Sequence, residues 1–175
     1  MSFPVFASGD VLNASDMNAV GLWLVKTQTI GSAVSSVAVT GAFSSDYDNY
    51  KIIISGGASS AQSFLTLQLG ASTTGYYYAN AGVTYAGAAF VGGASNTTSF
   101  QAGSTFVANG LQANIELQNP FLAKYTFAQS SGMNTTFATP SVGYHGVATS
   151  YTGFTIAVLS GTITGGTIKI YGYRN

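Results

Sequence analysis

The segment NYKIIISGG, residues 49–57, decides the fold class, because apolar and polar side chains alternate along it. Every second residue from Tyr50 to Ile54 falls on one face of an extended chain, and the residues between them fall on the other. Gly56 and Gly57 then favour a turn. The segment is therefore predicted to be a β-strand with one buried face.

The same period of two recurs along most of the chain, separated by turn signals about every 8 to 12 residues. The further strand candidates are LWLVKTQTI (22–30), SSVAVT (35–40), FLTLQLG (64–70), LQANIELQN (111–119), KYTFAQ (124–129), NTTFATP (134–140), SVGYHGVATS (141–150), FTIAVLS (154–160) and GTIKIYGYR (166–174). No helical pattern of ten residues lies between them, so a βαβ fold is disfavoured. We predict an all-β protein, an antiparallel β-sandwich of the jelly-roll type.

The middle of the chain is harder to assign. Glycine interrupts the period every few residues in GYYYANAGVTYAGAAFVGGASNTTSF (75–100) and again in GSTFVANG (103–110). Glycine inside a strand pattern favours bulges, loops or short edge strands. We expect this region to contribute loops, bulges or short edge strands.

The N-terminal stretch FASGDVLNASDMNAV, residues 6–20, differs from the rest because it favours a short helix. Asn13 is a good N-cap, and Asp16 in the first turn complements the helix dipole. Met17 and Val20 would share one face. A helix of two or three turns is marginal alone, so we interpret residues 1–21 as a docking segment and residues 22–175 as one β-domain.

The composition lacks charge. Charged residues make up 6% of the chain against 46% hydrophobic residues, and the formal net charge is zero, whereas about 25% charged residues is typical. Surface charge keeps a small domain soluble and monomeric. We therefore expect the chain to bury much of its surface against copies of itself or a larger particle.

Several function classes are disfavoured. The five basic residues are scattered singly, so no cluster is available for phosphate contacts and we expect no nucleic-acid partner. The chain has no Cys, which excludes disulfides and thiolate metal sites. The start lacks the pattern of a signal peptide. The apolar run AVGLWLV (19–25) is too short to cross a bilayer as a helix, and we expect no membrane insertion.

No catalytic pattern is present. His145 is the single histidine, and a triad or metal site would need carboxylates from distant positions. We interpret it as a loop or strand-surface residue. DYDNY (46–50) resembles the start of a calcium loop but lacks the required Gly and distal Glu, so a turn into the next strand is favoured. We predict no enzyme activity, no cofactor and no metal.

Glycan binding is the binding mode that this composition could support. Protein sites for sugars stack aromatic rings on apolar sugar faces and add neutral hydrogen-bonding groups. Tyr76, Tyr77, Tyr78 and Tyr85 lie in a Gly-, Asn- and Thr-rich region and are candidate glycan contacts. The alternative interpretation is that these rings fill the core or a subunit interface.

Two blocks of the sequence resemble bacteriophage virion proteins of the tail-fibre and capsid-decoration type. Residues 6–20 are similar to an F-x-x-G-x-V-L-x-A-x-x-M/L-N pattern at the start of many phage tail proteins. Residues 25–56, VKTQTIGSAVSSVAVTGAFSSDYDNYKIIISG, resemble the beginning of a β-sandwich domain in phage structural proteins.

This resemblance implies a non-enzymatic protein of the virion, usually a homotrimer, assembled in the bacterial host cytoplasm. The docking contacts would come from the hydrophobic and amide side chains of the first block, Phe6, Val11, Leu12, Met17 and Asn18. The chain lacks the collagen-like or coiled shaft of long fibres, so a short tail fibre or knob is favoured, with host glycans as a further partner. A capsid decoration protein, a stand-alone carbohydrate-binding module and, least favoured, a hydrolase are the alternatives.

Overall fold

The computed structural model describes residues 8, 9, 11 and 21–173. These residues contain no helix and form β-strands joined by turns. The strands are β1 (Leu22–Thr29), β2 (Ser36–Val39), β3 (Asn49–Gly56), β4 (Ala58–Ser59), β5 (Ser63–Leu69), β6 (Tyr76–Thr84), β7 (Ala89–Thr97), β8 (Phe100–Phe106), β9 (Gly110–Gln118), β10 (Thr126–Met133), β11 (Phe137–His145), β12 (Phe154–Val158), β13 (Ile163–Thr164) and β14 (Thr167–Tyr173). The all-β prediction is confirmed.

Strand pairing joins twelve of the described strands into one curled antiparallel sheet, a half-barrel. The order along one path is β2-β12-β5-β8-β9-β10-β11-β6-β7, and β1, β14 and β3 branch from β9. β4 and β13 form a separate two-stranded ribbon. The expected jelly-roll sandwich is not confirmed. The predicted N-terminal helix lies outside the described residues.

β9 is the branch point of the sheet. One of its edges pairs with β3 over residues 111–118. Its other edge is shared, because residues 110–112 pair with β8 and residues 114–118 pair with β10. From this shared edge the sheet continues in two directions. One series of strands runs from β8 to the edge strand β2, and the other runs from β10 to the edge strand β7.

The hydrophobic core lies on the inner face of the sheet, between β3, β9 and β14 on one side and β5 and β12 on the other. Its members follow the predicted period of two: Tyr50, Ile52 and Ile54 of β3, Leu65, Leu67 and Leu69 of β5, Leu111, Ala113, Ile115 and Leu117 of β9, and Ile168 and Ile170 of β14 are all buried. The interpretation of these four strands is confirmed. Burial of so many branched aliphatic side chains is the main driving force for this part of the fold.

The glycine-rich middle of the chain forms β6, β7 and β8, where we had expected loops or short edge strands. β6 and β7 are nine residues long each, and β6 is central, between β11 and β7. The expectation holds in two respects. β7 is an edge strand, and the pairing of β6 with β7 carries an irregularity between Tyr76 and Tyr78.

Pro140 lies inside β11, although the sequence patterns placed a break there. It pairs with Ser131 of β10 on one side. On the other side the pairing with β6 is interrupted, between Ala138 and Ser141. Proline has no N–H to donate, and for this reason central strands normally exclude it. Because the pairing with β6 is interrupted at Pro140, β11 can contain this residue and remain one continuous strand.

Candidate functional site

The most distinctive surface belongs to β6, β7, β10 and β11, which we call the uncharged wing. The four strands are adjacent in the sheet, and none of their residues is Asp, Glu, Lys or Arg. Side chains directly opposite each other in antiparallel strands point to the same side. One side of the wing faces β8 and the interior, and the other, the outer face, is open to solvent in the part of the chain that the structure describes.

One end of this outer face is aliphatic. We call the exposed residues there the aliphatic patch; they are Val83, Val91, Met133, Pro140 and Val142. Val91 on the edge strand β7 is 85% exposed. A shallow depression of about 420 Å³ lies among Val91, Pro140 and Val142, with Ala79 and Ala81 in its wall. A contiguous exposed apolar surface of this kind is a sign of an interaction site.

The other end of the outer face is aromatic. Tyr77 and Tyr144 stack with their ring centroids 4.9 Å apart and their planes 10° from parallel. Tyr125 continues the series, with its ring centroid 6.0 Å from that of Tyr144 and an interplanar angle of 20°. We call these three rings the tyrosine stack. Phe127 lies beside it, directly opposite Tyr144 in the strand pairing.

Strand register builds the tyrosine stack. Tyr77 of β6 and Tyr144 of β11 are direct cross-strand partners, and strand spacing of about 4.8 Å suits parallel rings. Gly146 lies beside the two rings, since a Cβ built there would lie 3.4 Å from Cε2 of Tyr144 and 3.5 Å from Cε2 of Tyr77. The Gly146 N–H donates to the Gly75 carbonyl oxygen at 2.8 Å. The cross-strand register therefore places the two rings side by side.

The middle of the inner face of the wing is polar, between Tyr76 at one end, which is buried in the core, and the ring pair Phe90–Phe137 at the other. Asn80 Nδ2 donates to Gln101 Oε1 of β8 at 2.9 Å, and Ser130 Oγ donates to the Gln101 carbonyl oxygen at 2.9 Å. Thr139 and Ser141 are also buried there. These five residues form what we call the polar layer, which joins the wing to β8 through directional hydrogen bonds.

His145 is buried, with 0% of its surface exposed, so its interpretation as a surface residue was wrong. It ends β11, and its ring lies 4.3 Å from the ring of Tyr76, between centroids. Nε2 lies 3.0 Å from the Thr74 carbonyl oxygen and 2.9 Å from Ser72 Oγ. A carbonyl only accepts, so Nε2 carries a proton and donates to it. Burial lowers the pKa of His145, and hydrogen bonds to the backbone at Thr74 and Val147 oppose that shift.

The four tyrosines predicted to contact a glycan do not form one surface. Tyr76 is fully buried, its hydroxyl accepts from the Leu69 N–H at 2.7 Å, and burial raises its pKa to about 12. Its side chain is therefore part of the core and not a surface contact. Tyr78 packs against the core from the inner side. Tyr85 lies in the turn after β6, 64% exposed, at the opposite end of that strand from Tyr77.

Only Tyr77 of those four belongs to the tyrosine stack. Sequence reasoning missed its neighbours Tyr125, Phe127 and Tyr144. The pattern Tyr125-x-Phe127 carried a signal, because residues two apart in a strand share a face. The partnership with Tyr144 had no local signal, since a period of two does not encode which strands pair.

The acidic stretch before β3 forms a turn, as the favoured interpretation had it. Ser44 Oγ donates to Asp46 Oδ2 at 3.1 Å, and the Asn119 N–H donates to the Asp48 carbonyl oxygen at 2.8 Å. Within the described residues there is no group of three or more His, Cys, Asp or Glu side chains that could hold a metal ion.

Of the five residues expected to dock the chain to a particle, Val11 is the one that the structure describes. Its side chain is 79% exposed. Phe6, Leu12, Met17 and Asn18 lie outside the described residues, so their role stays a prediction. In residues 8, 9, 11 and 21–173, no helix is long and apolar enough to cross a membrane.

Comparisons with known proteins give no match for this chain, either among protein-family models, among curated proteins or among solved structures.

Proposed function

We propose that the chain is a non-enzymatic structural subunit of a bacteriophage particle, a short tail fibre or knob that attaches through residues 1–21 and displays the β-domain. In this proposal three copies assemble through the aliphatic patch of the uncharged wing. The exposed, charge-free outer face of that wing carries the proposal, together with the resemblance of residues 6–20 to phage tail proteins.

A second copy of the chain suits this surface for three reasons. Val83 and Val91 would gain by burial, and each buried Val contributes roughly 1.5 kcal/mol or more. No charge on the wing has to be desolvated or can repel its equivalent in another copy. The edge strand β7 contains neither Pro nor charge, the features with which natural edge strands avoid pairing.

The first experiment measures the mass of the purified chain by light scattering. Three copies of the 17.9 kDa chain weigh about 53.7 kDa, three times the monomer. We expect this mass for the natural chain, and the monomer mass for Val83→Glu and Val91→Glu. Leu159→Glu is the matched control, because Leu159 is 67% exposed and follows β12, outside the wing. A natural chain that stays monomeric at about 100 µM, or wing variants that stay trimeric, would contradict the proposal.

A second experiment tests the docking segment. Deletion of residues 1–20, and separately Leu12→Asp, should abolish incorporation into particles while leaving the mass in solution unchanged. Undiminished incorporation would show that docking lies elsewhere. Fractionation of particles into heads and tails then separates a tail fibre from a capsid decoration protein, since the decoration protein would stay with tail-less heads.

A further inference from the structure

We propose that the tyrosine stack, with Phe127 and the adjoining depression, is a binding site for an uncharged carbohydrate. The proposal concerns Tyr77, Tyr125 and Tyr144, and it goes beyond the assembly role. The site shares Val142 with the aliphatic patch, but Val83, whose replacement tests assembly, is six residues from Tyr77 along β6, which corresponds to about 20 Å.

The rings offer the apolar surface that a sugar needs. Tyr144 is the middle ring of the stack and is covered on both faces by its neighbours. Tyr125 is a terminal ring, so the stack leaves one of its faces open, and its side chain is 49% exposed. Phe127 is 46% exposed beside it. A pyranose whose axial C–H bonds line one face can stack on such rings, and hydrophobic burial then adds to the ring interaction.

A second sugar unit has a place next to the stack. A depression of about 390 Å³ lies on the β6–β11 surface, walled by Tyr77 and Tyr144 and floored by Ala79, Val142 and Gly143. The volume is at the lower end of the range of ligand sites in proteins, about 300 to 1,000 Å³. An oligosaccharide of two or three units would fit this surface better than a single sugar.

The chemistry of the surroundings selects a neutral ligand. Gln129 and Gln118 lie exposed on the same outer face, opposite Val142 and Phe127 in the strand pairing. Such amides, with the phenol hydroxyls, donate to and accept from sugar hydroxyls. The wing itself carries no charge. The charged side chains beside the site are Lys124, which precedes Tyr125 and is exposed, and Glu116, which is opposite Gln129 and is neutralised by its ion pair with Lys51. A single exposed lysine contributes about 1 kcal/mol or less to an ion pair.

Preorganisation supports the site. The cross-strand register holds Tyr77 beside Tyr144, with their ring centroids 4.9 Å apart. Rings that are already fixed lose little side-chain entropy when a ligand binds, so more of the contact energy is available for affinity.

The test uses saturation-transfer NMR and titration of the full chain with four neutral sugars: cellotriose, maltotriose, N-acetylchitotriose and lactose. Sialyllactose and a heparin hexasaccharide serve as anionic probes. We expect saturable binding of at least one neutral sugar, an affinity about tenfold lower for Tyr125→Ala, and little change for Tyr125→Phe. Tyr85→Ala, an exposed tyrosine outside the stack, is the matched control and should bind normally.

The outcomes are separable from those of the assembly proposal. Binding of the anionic probes alone, no saturable binding of any neutral sugar, or equal affinity in Tyr125→Ala and the natural chain would each overturn the inference. Tyr125 precedes β10 and is outside the strands, so its replacement should leave the fold intact, which a thermal melt checks. A trimer that binds no sugar contradicts this inference alone, and a sugar-binding monomer contradicts the assembly proposal alone.

Discussion

The uncharged wing and the opposite part of the sheet use the same strand geometry but different chemistry on their outer faces. We call β1, β3, β9 and β14 the charged half, because every charged side chain that lies in a described strand lies there: Lys26, Lys51, Glu116 and Lys169. Lys51, Glu116 and Lys169 are on its outer face, whereas Lys26 is opposite the buried Ile170 on the inner side. The uncharged wing continues directly from it, since β10 pairs with β9. The boundary between the two is the pairing of β9 with β10. On the β9 side the outer face carries charged side chains, and on the β10 side it carries none.

The inner faces differ in the opposite sense. Beneath the charged half the inner face is aliphatic and buries residues such as Ile52 and Ile115. Beneath the middle of the wing it is the polar layer, with Ser130, Thr139 and Ser141. Hydrophobic burial therefore stabilises the charged half along its whole inner face, whereas the middle of the wing depends more on hydrogen bonds.

The largest predicted effect compares two residues that are direct partners across the boundary, Ile115 of β9 and Ser130 of β10. Ile115→Ala should lower the free energy of unfolding by about 2–5 kcal/mol, because it opens a cavity in the aliphatic core. Ser130→Ala should cost about 1 kcal/mol, because it removes one hydrogen bond. Denaturant titration at one fixed protein concentration measures both. Equal losses would show that the two halves are not stabilised differently.

The next effect tests the polar layer. Gln101→Met should lower the free energy of unfolding by about 1–3 kcal/mol, because Asn80 Nδ2 loses its acceptor in a part-buried position. The control is the double variant Asn80→Leu with Gln101→Met, in which no amide is left without a partner. It should recover part of the loss. If the double variant is less stable than Gln101→Met, the hydrogen bond is not the source of the effect.

The third prediction concerns pH. The pKa of His145 is lowered in the fold from its ordinary 6.5 because the ring is buried. Well above pH 6.5 the ring is neutral in both states and this contribution is complete. As the pH falls below 6.5 the unfolded chain takes up a proton that the fold resists, so stability declines until the folded pKa is reached, by at most about 1.4 kcal/mol per pH unit.

His145→Gln is the variant that isolates this effect, because the chain has a single histidine. The natural chain should lose thermal stability between pH 7.5 and 5.5, and the variant should lose less over the same range. Identical pH profiles would show that His145 does not titrate differently in the two states.

The sequence predicted the strands of the aliphatic core because their pattern is local. Alternation in β3, β5, β9 and β14 follows from which face is buried, and every core position of those strands was predictable. The prediction failed in β6 and β7, because glycine and small polar residues obscure the period of two along these strands. It also failed for His145, whose burial depends on Ser72 and Thr74, residues more than seventy positions away in sequence.

The candidate site was less predictable than the fold because it exists only through strand pairing. Tyr77, Tyr125 and Tyr144 come from three separate parts of the chain, and β6 and β11 are more than fifty residues apart in sequence. A composition rich in tyrosine indicated a possible sugar-binding surface, but the choice among Tyr76, Tyr77 and Tyr78 needed the register, which puts neighbours on opposite faces.

The smallest predicted effect concerns the outer face of the charged half. Lys51 Nζ lies 2.7 Å from Glu116 Oε1, and the Tyr173 hydroxyl donates to Glu116 Oε2 at 2.6 Å. Burial, with this hydrogen bond and the Glu116 charge, raises the pKa of Tyr173 to about 12. Both members of the ion pair are partly exposed. Lys51→Met should therefore lower the free energy of unfolding by about 0.2–1 kcal/mol at low salt, and by less at 1 M salt.

Lys169→Met is the matched control, because Lys169 is exposed on the same outer face and forms no ion pair with a described residue. It removes the same charge, so any effect of net charge is common to both variants. We expect Lys169→Met to change the stability by less than Lys51→Met, and the difference between them to vanish in high salt. If the difference persists in high salt, it comes from packing of the Lys51 side chain and not from its charge. The outer face of the charged half would then be stabilised by contacts, as we propose for the wing when a second copy covers it.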